Sequence, residues 1–278
     1  MKKLIMLILA SCLLIGGCNK KEDKSEIMPT ATVPTETEAV QTDIPQNTEE
    51  PDIKPTQTPE EKKQTGQYSV SGKIIVIDPG HGTGGTNEKE PVAPGSGTKK
   101  AAYVSGASGK NQTEEELNLI VAQKLKAILE ERGAIVYLTR EGHEATRSNV
   151  ERAQFANELN AEICVRIHAD GSENSSAKGA SVLIPAGEYI KDDDLLQKSK
   201  LAGEIVLEEY VKSTGAKNRG TVKRSDMTGF NWSEVPVILV ELGFMSNPEE
   251  DALMETEEYQ TKMVSGIASG LERYFISI

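Results

Sequence analysis

The sequence is poor in cysteine, in aromatic residues and in long apolar runs. Of its three cysteines, only Cys164 lies beyond the first 18 residues, so no disulfide is expected within a folded domain. The apolar run from Leu4 to Gly17 covers fourteen residues, which is short of the roughly 20 that a membrane-spanning helix needs. The chain's 31 basic residues are outnumbered by 43 acidic ones, which gives a formal net charge of −12, and this charge argues against a nucleic-acid partner.

The N-terminus has the pattern of an export signal. Lys2 and Lys3 precede the apolar run, and Cys18 follows it directly. The segment Ile15-Gly16-Gly17-Cys18 resembles the bacterial lipobox, in which the cysteine is lipidated and becomes the new N-terminus. An ordinary cleaved signal with a chance cysteine is the alternative. We predict that residues 1–18 are a lipoprotein signal and that acyl chains on Cys18 anchor the protein to the outer face of the cell membrane.

Residues 19–67 have the composition of a disordered tether. The segment has no aromatic residue, although it holds six of the twelve prolines and nine threonines. Such a chain cannot bury enough apolar surface to offset the entropy lost on folding. We therefore predict that it holds the remaining residues, 68–278, away from the membrane and toward the cell wall.

Residues 68–278 are predicted to form one α/β domain. Short apolar runs alternate with helical patterns, and this alternation indicates a largely parallel sheet with helices on both faces. Cys164 lies inside an apolar run and is predicted to be a buried hydrophobic residue, not a nucleophile. The predicted strands are Lys73–Asp78, Ala134–Thr139, Glu162–His168, Ala180–Ile184 and Val235–Glu241, and the predicted helices are Thr113–Arg132, Asn149–Leu159, Asp194–Thr214 and Thr256–Phe275.

Polar side chains stand at the carboxyl ends of three predicted strands. His81 follows the first strand, His168 ends the third, and Glu241 ends the last. In a parallel sheet these ends share one rim, where ligands collect. Two histidines at one rim indicate metal ligation, and a hydrolytic zinc site needs three protein ligands and an open position. His143 lies in a polar stretch and is predicted to be a surface residue.

The third ligand must be a carboxylate near the same rim. The long helix offers Glu114, Glu115 and Glu116 at its start, and their spacing does not choose among them. Glu241 is different, because a carboxylate that ends a strongly apolar strand is unusual unless it is paired, liganding or catalytic. Partial burial would raise the pKa of Glu241, which suits a general base. A salt bridge near the strand end is the alternative for Glu241.

A nucleotide-binding loop is the competing interpretation of the first strand end. Gly80-x-Gly82-x-x-Gly85 fits the G-x-G-x-x-G fingerprint, but such a loop must open directly into a helix that receives the pyrophosphate. The next predicted helix begins near Thr113, 28 residues after Gly85. The fingerprint is therefore incidental.

Four segments, in order, resemble the signature segments of the zinc-dependent N-acetylmuramoyl-L-alanine amidases (the Amidase_3 family). The resemblance implies that His81, Glu114 and His168 bind one zinc ion and that Glu241 is the catalytic glutamate. It also implies a mixed, mostly parallel sheet of about six strands. The implied substrate is peptidoglycan, cleaved at the amide between the lactyl group of N-acetylmuramic acid and L-alanine. The segments are Ile77–Gly82, Glu114–Leu119, Arg166–Asp170 and Val240–Asn247.

Some features depart from the family or stay open. The stretch 83–112 is longer than the family's usual loop, so it is a candidate to shape substrate choice or to act as a lid. Asp170 stands where the family often has asparagine, which puts a direct bond to substrate carbonyls in doubt. Asp78 is a candidate to orient a ligand, with a simple Asp-Pro turn as the alternative. We expect a monomer. The rival functions are a zinc peptidase that cuts within the stem peptide and an inactive wall-binding lipoprotein.

Overall fold

The computed structural model describes residues 68–278. The predicted signal 1–18 with its lipidation site Cys18, and the predicted tether 19–67, lie outside the described residues. Within residues 68–278, none of the helices combines the length and the apolar character that a membrane span requires.

Eight strands and six helices alternate along the described residues. The strands are β1 (Ile74–Pro79), β2 (Lys89–Pro91), β3 (Lys99–Ala101), β4 (Ile135–Leu138), β5 (Ile163–Asp170), β6 (Ala180–Pro185), β7 (Asn218–Arg224) and β8 (Val237–Phe244). The helices are α1 (Glu114–Glu131), α2 (Asn149–Glu158), α3 (Asp193–Thr214), α4 (Thr228–Asn231), α5 (Pro248–Met254) and α6 (Glu257–Ser277).

Six of the strands form one mixed sheet in the order β4-β1-β5-β8-β6-β7. All neighbours in it pair in parallel except β6 and β8, which are antiparallel. The predicted mixed, mostly parallel sheet is therefore confirmed. The residue pattern did not reveal β7, because this edge strand carries a glycine and charged residues and has no fully buried position. The pattern also missed the short strands β2 and β3, which form a separate antiparallel hairpin.

Helices cover both faces of the sheet, as predicted. On one face α1, α3 and α6 enclose the larger apolar core, which includes Ile77, Val165 and Val240. On the other face α2 and α4 cover a smaller core. Cys164 belongs to this smaller core, and burial raises the pKa of its thiol to about 12. A thiol in that state is unreactive at neutral pH, which agrees with its predicted role as a buried hydrophobic residue.

The start of α1 is fixed by a reciprocal cap. The Thr113 side chain accepts a hydrogen bond from the Glu116 amide, and the Glu116 carboxylate accepts one from the Thr113 amide. This capping box satisfies two amides that the first turn would otherwise leave free. It also sets the first turn so that Glu114, the first residue of the helix, is buried, with 4% of its surface exposed.

The long stretch 83–112 is tied to the α4 side of the sheet. The Trp232 indole donates to the Pro91 carbonyl at 2.9 Å, and the side-chain amide of Asn231 donates to the Val92 carbonyl at 3.0 Å. Lys100 in β3 forms an ion pair with Asp226 at 3.0 Å. The hairpin is therefore an ordered wall beside the carboxyl ends of β5 and β8.

Candidate metal centre and catalytic base

Three side chains from different elements converge at the rim of the sheet. Glu114 Oε1 lies 3.0 Å from His81 Nε2 and 3.0 Å from His168 Nδ1. The two imidazole rings stand nearly perpendicular, with centroids 4.8 Å apart. Among residues 68–278, this is the one group of three or more such side chains whose ligand atoms all lie within 4.8 Å of one another.

Glu114 is held firmly between the two histidines. Its Oε1 accepts from the Ala169 amide at 3.1 Å and from the Asn118 side chain at 3.3 Å, and its Oε2 accepts from the Ala107 amide at 2.7 Å. Burial alone would raise the pKa of Glu114, but its bonds to the two imidazoles outweigh burial and hold that pKa well below its usual range. The carboxylate is therefore ionised and preoriented.

The neighbouring glutamates have other partners. Glu115 lies 3.7 Å from Arg140 and 3.2 Å from His143, and Glu116 caps the helix. The side chain of His143 is 60% exposed, so the prediction of a surface histidine is confirmed. Of the three glutamates that the sequence left open, only Glu114 reaches both rim histidines.

The hydrogen bonds of His81 leave a lone pair facing the carboxylate. A carbonyl oxygen can only accept, so the contact of 2.7 Å between His81 Nδ1 and the Val104 carbonyl places a proton on Nδ1. In a neutral imidazole Nε2 then carries a lone pair, and it faces the ionised oxygen of Glu114 at 3.0 Å. Two acceptors at this distance repel, so the contact holds either as a hydrogen bond to Glu114, with a second proton on the ring, or with a cation between the two atoms. The arrangement therefore fits a bound metal ion.

His168 also suits metal binding. Burial lowers the pKa of His168 to about 4, so its imidazole is neutral at pH 7, which is the form that binds metals. Within the described part of the chain, its buried Nε2 has no hydrogen-bond partner. A side chain at Gly80 could not coexist with this ring, because a Cβ there would lie 2.3 Å from His168 Cε1. Gly80 therefore leaves the space that the His168 ring occupies.

Glu241 stands next to His168 on the same face of the sheet. The two residues are direct partners across β5 and β8. Burial raises the pKa of Glu241 well above its usual range, and the charges of Asp170 and Glu114 add to this effect. The buried Oε2 of Glu241 has no hydrogen-bond partner among residues 68–278. Among residues 68–278 the Glu241 carboxylate forms no salt bridge, so it is free to exchange a proton.

A cleft of about 510 Å³ opens beside these residues. His81, His168 and Glu241 lie along it, and Leu183 and Leu239 form an apolar floor. The hairpin and the start of α4 complete the walls, with Lys100 and Ala101 from the hairpin, Met227 just before α4 and Gly229 inside it. A substrate in this cleft would reach the histidines and Glu241 together.

Asp78 and Asp170 take different positions from the liganding residues. Asp78 is buried and pairs with Arg152 at 2.8 Å and Arg166 at 2.7 Å, so it lies beneath the site and does not contact either histidine ring directly. Asp170 accepts from the Gly171 amide at 2.8 Å. Burial raises the pKa of Asp170. Its charge faces Glu241, and a contact between Asp170 and substrate stays a prediction.

Several residues at the site carry little or no signal in the sequence. Asn118 follows Glu114 by one helical turn, and a polar side chain inside the apolar stripe of α1 was the available signal for it. The Val104 carbonyl and the Ala107 amide act through the backbone, which no side-chain pattern reveals. Arg140 and Arg152 donate to the backbone around His81, although nothing in their local sequence marks them.

Comparison with known proteins identifies relatives of this chain. An N-acetylmuramoyl-L-alanine amidase of Mycobacterium tuberculosis is 31% identical over 214 residues, which cover 73% of this chain and 86% of that protein. The germination-specific N-acetylmuramoyl-L-alanine amidase of Bacillus subtilis is 27% identical over 233 residues, covering 74% and 81%. The crystal structure of the amidase Ami1 from Mycobacterium smegmatis matches with a TM-score of 0.69 at 26% identity, covering 75% of this chain and 99% of that one.

The family model of the N-acetylmuramoyl-L-alanine amidases matches residues 75–273, which include the three converging residues and Glu241. The chain therefore belongs to the Amidase_3 family of N-acetylmuramoyl-L-alanine amidases.

Proposed function

We propose that this chain hydrolyses the amide between the lactyl group of N-acetylmuramic acid and L-alanine of the peptidoglycan stem peptide. Family membership over residues 75–273 supports amide hydrolysis in peptidoglycan. The observation that carries the proposal is the convergence of His81, Glu114 and His168, together with one cleft that His81, His168 and Glu241 line. This set of residues contains every group that a metal-assisted amide hydrolysis needs from the protein.

His81, Glu114 and His168 are the residues that would hold a zinc ion. Two imidazole nitrogens and one carboxylate oxygen are a donor set typical of hydrolytic zinc. When bound, zinc would supply a Lewis acid for the scissile carbonyl and lower the pKa of water. The Val104 carbonyl holds the His81 ring and the Ala107 amide holds the Glu114 carboxylate, and such supporting contacts normally tune metal affinity.

Glu241 is the proposed general base and general acid. Its raised pKa brings its proton affinity nearer to neutral pH, where transfer in both directions is efficient. The carboxylate first takes a proton from the attacking water at its free Oε2. It then returns that proton to the alanine nitrogen as the amide bond breaks. The leaving amine thus departs in a neutral form.

Product analysis tests the reaction. Purified peptidoglycan sacculi are incubated with the zinc-loaded protein, and the released fragments are identified by mass spectrometry. We expect free stem peptides that begin with L-alanine, together with glycan strands whose lactyl groups end in a newly formed carboxylate. Fragments cut within the stem peptide would instead identify the rival zinc peptidase. Absence of release, with bound zinc, would support the inactive wall-binding protein.

We further propose that the enzyme works as a monomer, tethered through lipidated Cys18 to the outer face of the bacterial membrane. The lipobox-like segment that ends at Cys18 supports this proposal, and a peptidoglycan substrate requires export. Cells fed labelled palmitate are expected to label the wild-type protein and not Cys18→Ser. Equal labelling of the two proteins would contradict the anchor, and light scattering of the detergent-solubilised chain checks the monomer.

A further inference from the structure

The ligand His81 has a backbone conformation that few residues with a side chain adopt. Its φ is +69°, and Asn160 is the other non-glycine residue with positive φ in the described part of the chain. A residue with a Cβ keeps such a conformation only where its surroundings over-determine it. Something must therefore hold the backbone around His81 in place.

Two buried arginines donate hydrogen bonds to three consecutive backbone carbonyls, those of residues 79–81. Arg152 donates from Nη1 to the Pro79 carbonyl at 2.8 Å and from Nη2 to the His81 carbonyl at 2.6 Å. Arg140 donates from Nε to the Pro79 carbonyl at 3.0 Å and from Nη2 to the Gly80 carbonyl at 2.9 Å. Three consecutive carbonyl oxygens are thus fixed by two planar guanidinium groups.

The arginines are themselves held in position. Arg152 forms its ion pair with Asp78, and its Nε donates to the Arg147 carbonyl at 3.1 Å. Arg140 donates to the carbonyls of Glu115 and Gly142 at 2.8 Å each. Only 6% of the Arg152 side chain and 1% of the Arg140 side chain are exposed. The two side chains therefore have little freedom to follow a moving loop.

We propose that Arg152 and Arg140 are positioning residues of the metal centre, and that they set the left-handed backbone from which the His81 imidazole meets Glu114. The two arginines do not act by attracting the metal ion, because a positively charged guanidinium group repels a metal cation. Their contribution is geometric, since one fork-shaped group reaches two carbonyls at once. A lysine ammonium is a point donor and cannot reproduce this arrangement. The proposal rests on the assignment of His81 as a ligand in the proposed function.

The test compares Arg152→Lys with a matched control in the full-length protein. Lysine keeps the positive charge beside Asp78 and removes the forked contact. Arg147→Lys is the control, because the Arg147 guanidinium donates to the Thr139 carbonyl and not to residues 79–81. This substitution leaves in place the backbone carbonyl of residue 147, which accepts from Arg152. Zinc affinity is measured by competition with a chromophoric chelator, and the absorption bands of the cobalt-substituted protein report the ligand geometry. Melting of the metal-free proteins reports the fold.

We expect zinc affinity to fall by about 10- to 100-fold in Arg152→Lys, with altered cobalt bands and a metal-free melting curve close to that of the control. Arg140→Lys is expected to behave in the same way. Wild-type affinity with an unchanged cobalt spectrum would overturn the proposal. Melting far below the control would also overturn it, because the arginines would then support the fold in general. If wild type binds zinc but releases no peptide, the proposed reaction fails while this comparison still decides the role of the arginines.

Discussion

Glu241→Gln is expected to bind zinc as wild type does and to lose the release of stem peptide almost completely. The amide side chain has nearly the same shape as the carboxylate, but it can neither accept the proton of the attacking water nor return it to the leaving nitrogen. General acid–base catalysis typically contributes about 10²- to 10⁴-fold, and we expect kcat to fall by that factor. The rate of peptide release from sacculi, with zinc content measured in parallel, checks this prediction.

Glu116→Gln is the matched control for this substitution. Glu116 lies two residues from the proposed ligand Glu114, but its carboxylate caps α1, and glutamine can serve in a capping box. We expect near wild-type turnover in this variant. Turnover of Glu241→Gln within a few-fold of wild type would show that another group transfers the proton. Loss of zinc in Glu241→Gln would instead place Glu241 among the determinants of metal binding.

The parts of the site that the sequence predicted share a physical cause. His81, His168 and Glu241 each follow an apolar run. Such a run with a polar end predicts a buried strand and its end, because burial and strand geometry both depend on neighbouring residues in the sequence. Parallel pairing then brings those ends to one rim, so three separate positions converge without knowledge of the loops. The five predicted strands and four predicted helices follow from the same local rules.

The choice among Glu114, Glu115 and Glu116 could not be made from local sequence patterns. All three acids suit the first turn of a helix, so propensity cannot rank them. The resemblance to the family singled out Glu114, and the structure gives the physical reason. The capping box turns Glu116 outward, and the first turn directs Glu114 across the rim toward Ala169 and the histidines. That direction depends on how α1 packs on the sheet.

The support around the ligands could not be predicted for a related reason. The Val104 carbonyl and the Ala107 amide lie in the stretch 83–112, whose course is set by contacts with Trp232, Asn231 and Asp226 far along the chain. Hydrogen bonds to backbone atoms leave no side-chain pattern, because any residue offers the same carbonyl or amide. The sequence therefore indicates the proposed ligands, but it does not indicate most of the groups that orient them.

Removal of one ligand is expected to have the other large effect. His81→Ala should abolish stoichiometric zinc binding, and with it all measurable release of stem peptide, because the centre then retains only Glu114 and His168. Zinc content per chain, measured by elemental analysis after dialysis, is the direct readout. His143→Ala is the control, since that imidazole is exposed and contacts only Glu115 among the site glutamates. We expect His143→Ala to keep its zinc and its activity.

The unusual backbone at position 81 requires a second substitution before this result can be assigned to the lost imidazole. Alanine at a φ of +69° is itself strained, so His81→Ala could lose zinc through a shift of the loop that also displaces His168. Asparagine tolerates the left-handed region far better, and His81→Asn therefore removes the imidazole with less backbone strain. Loss of zinc in both variants, with unchanged melting of the metal-free proteins, identifies the ring as the ligand. Retention of stoichiometric zinc in His81→Asn would show that the metal lies elsewhere, and the triad would lose its assigned role.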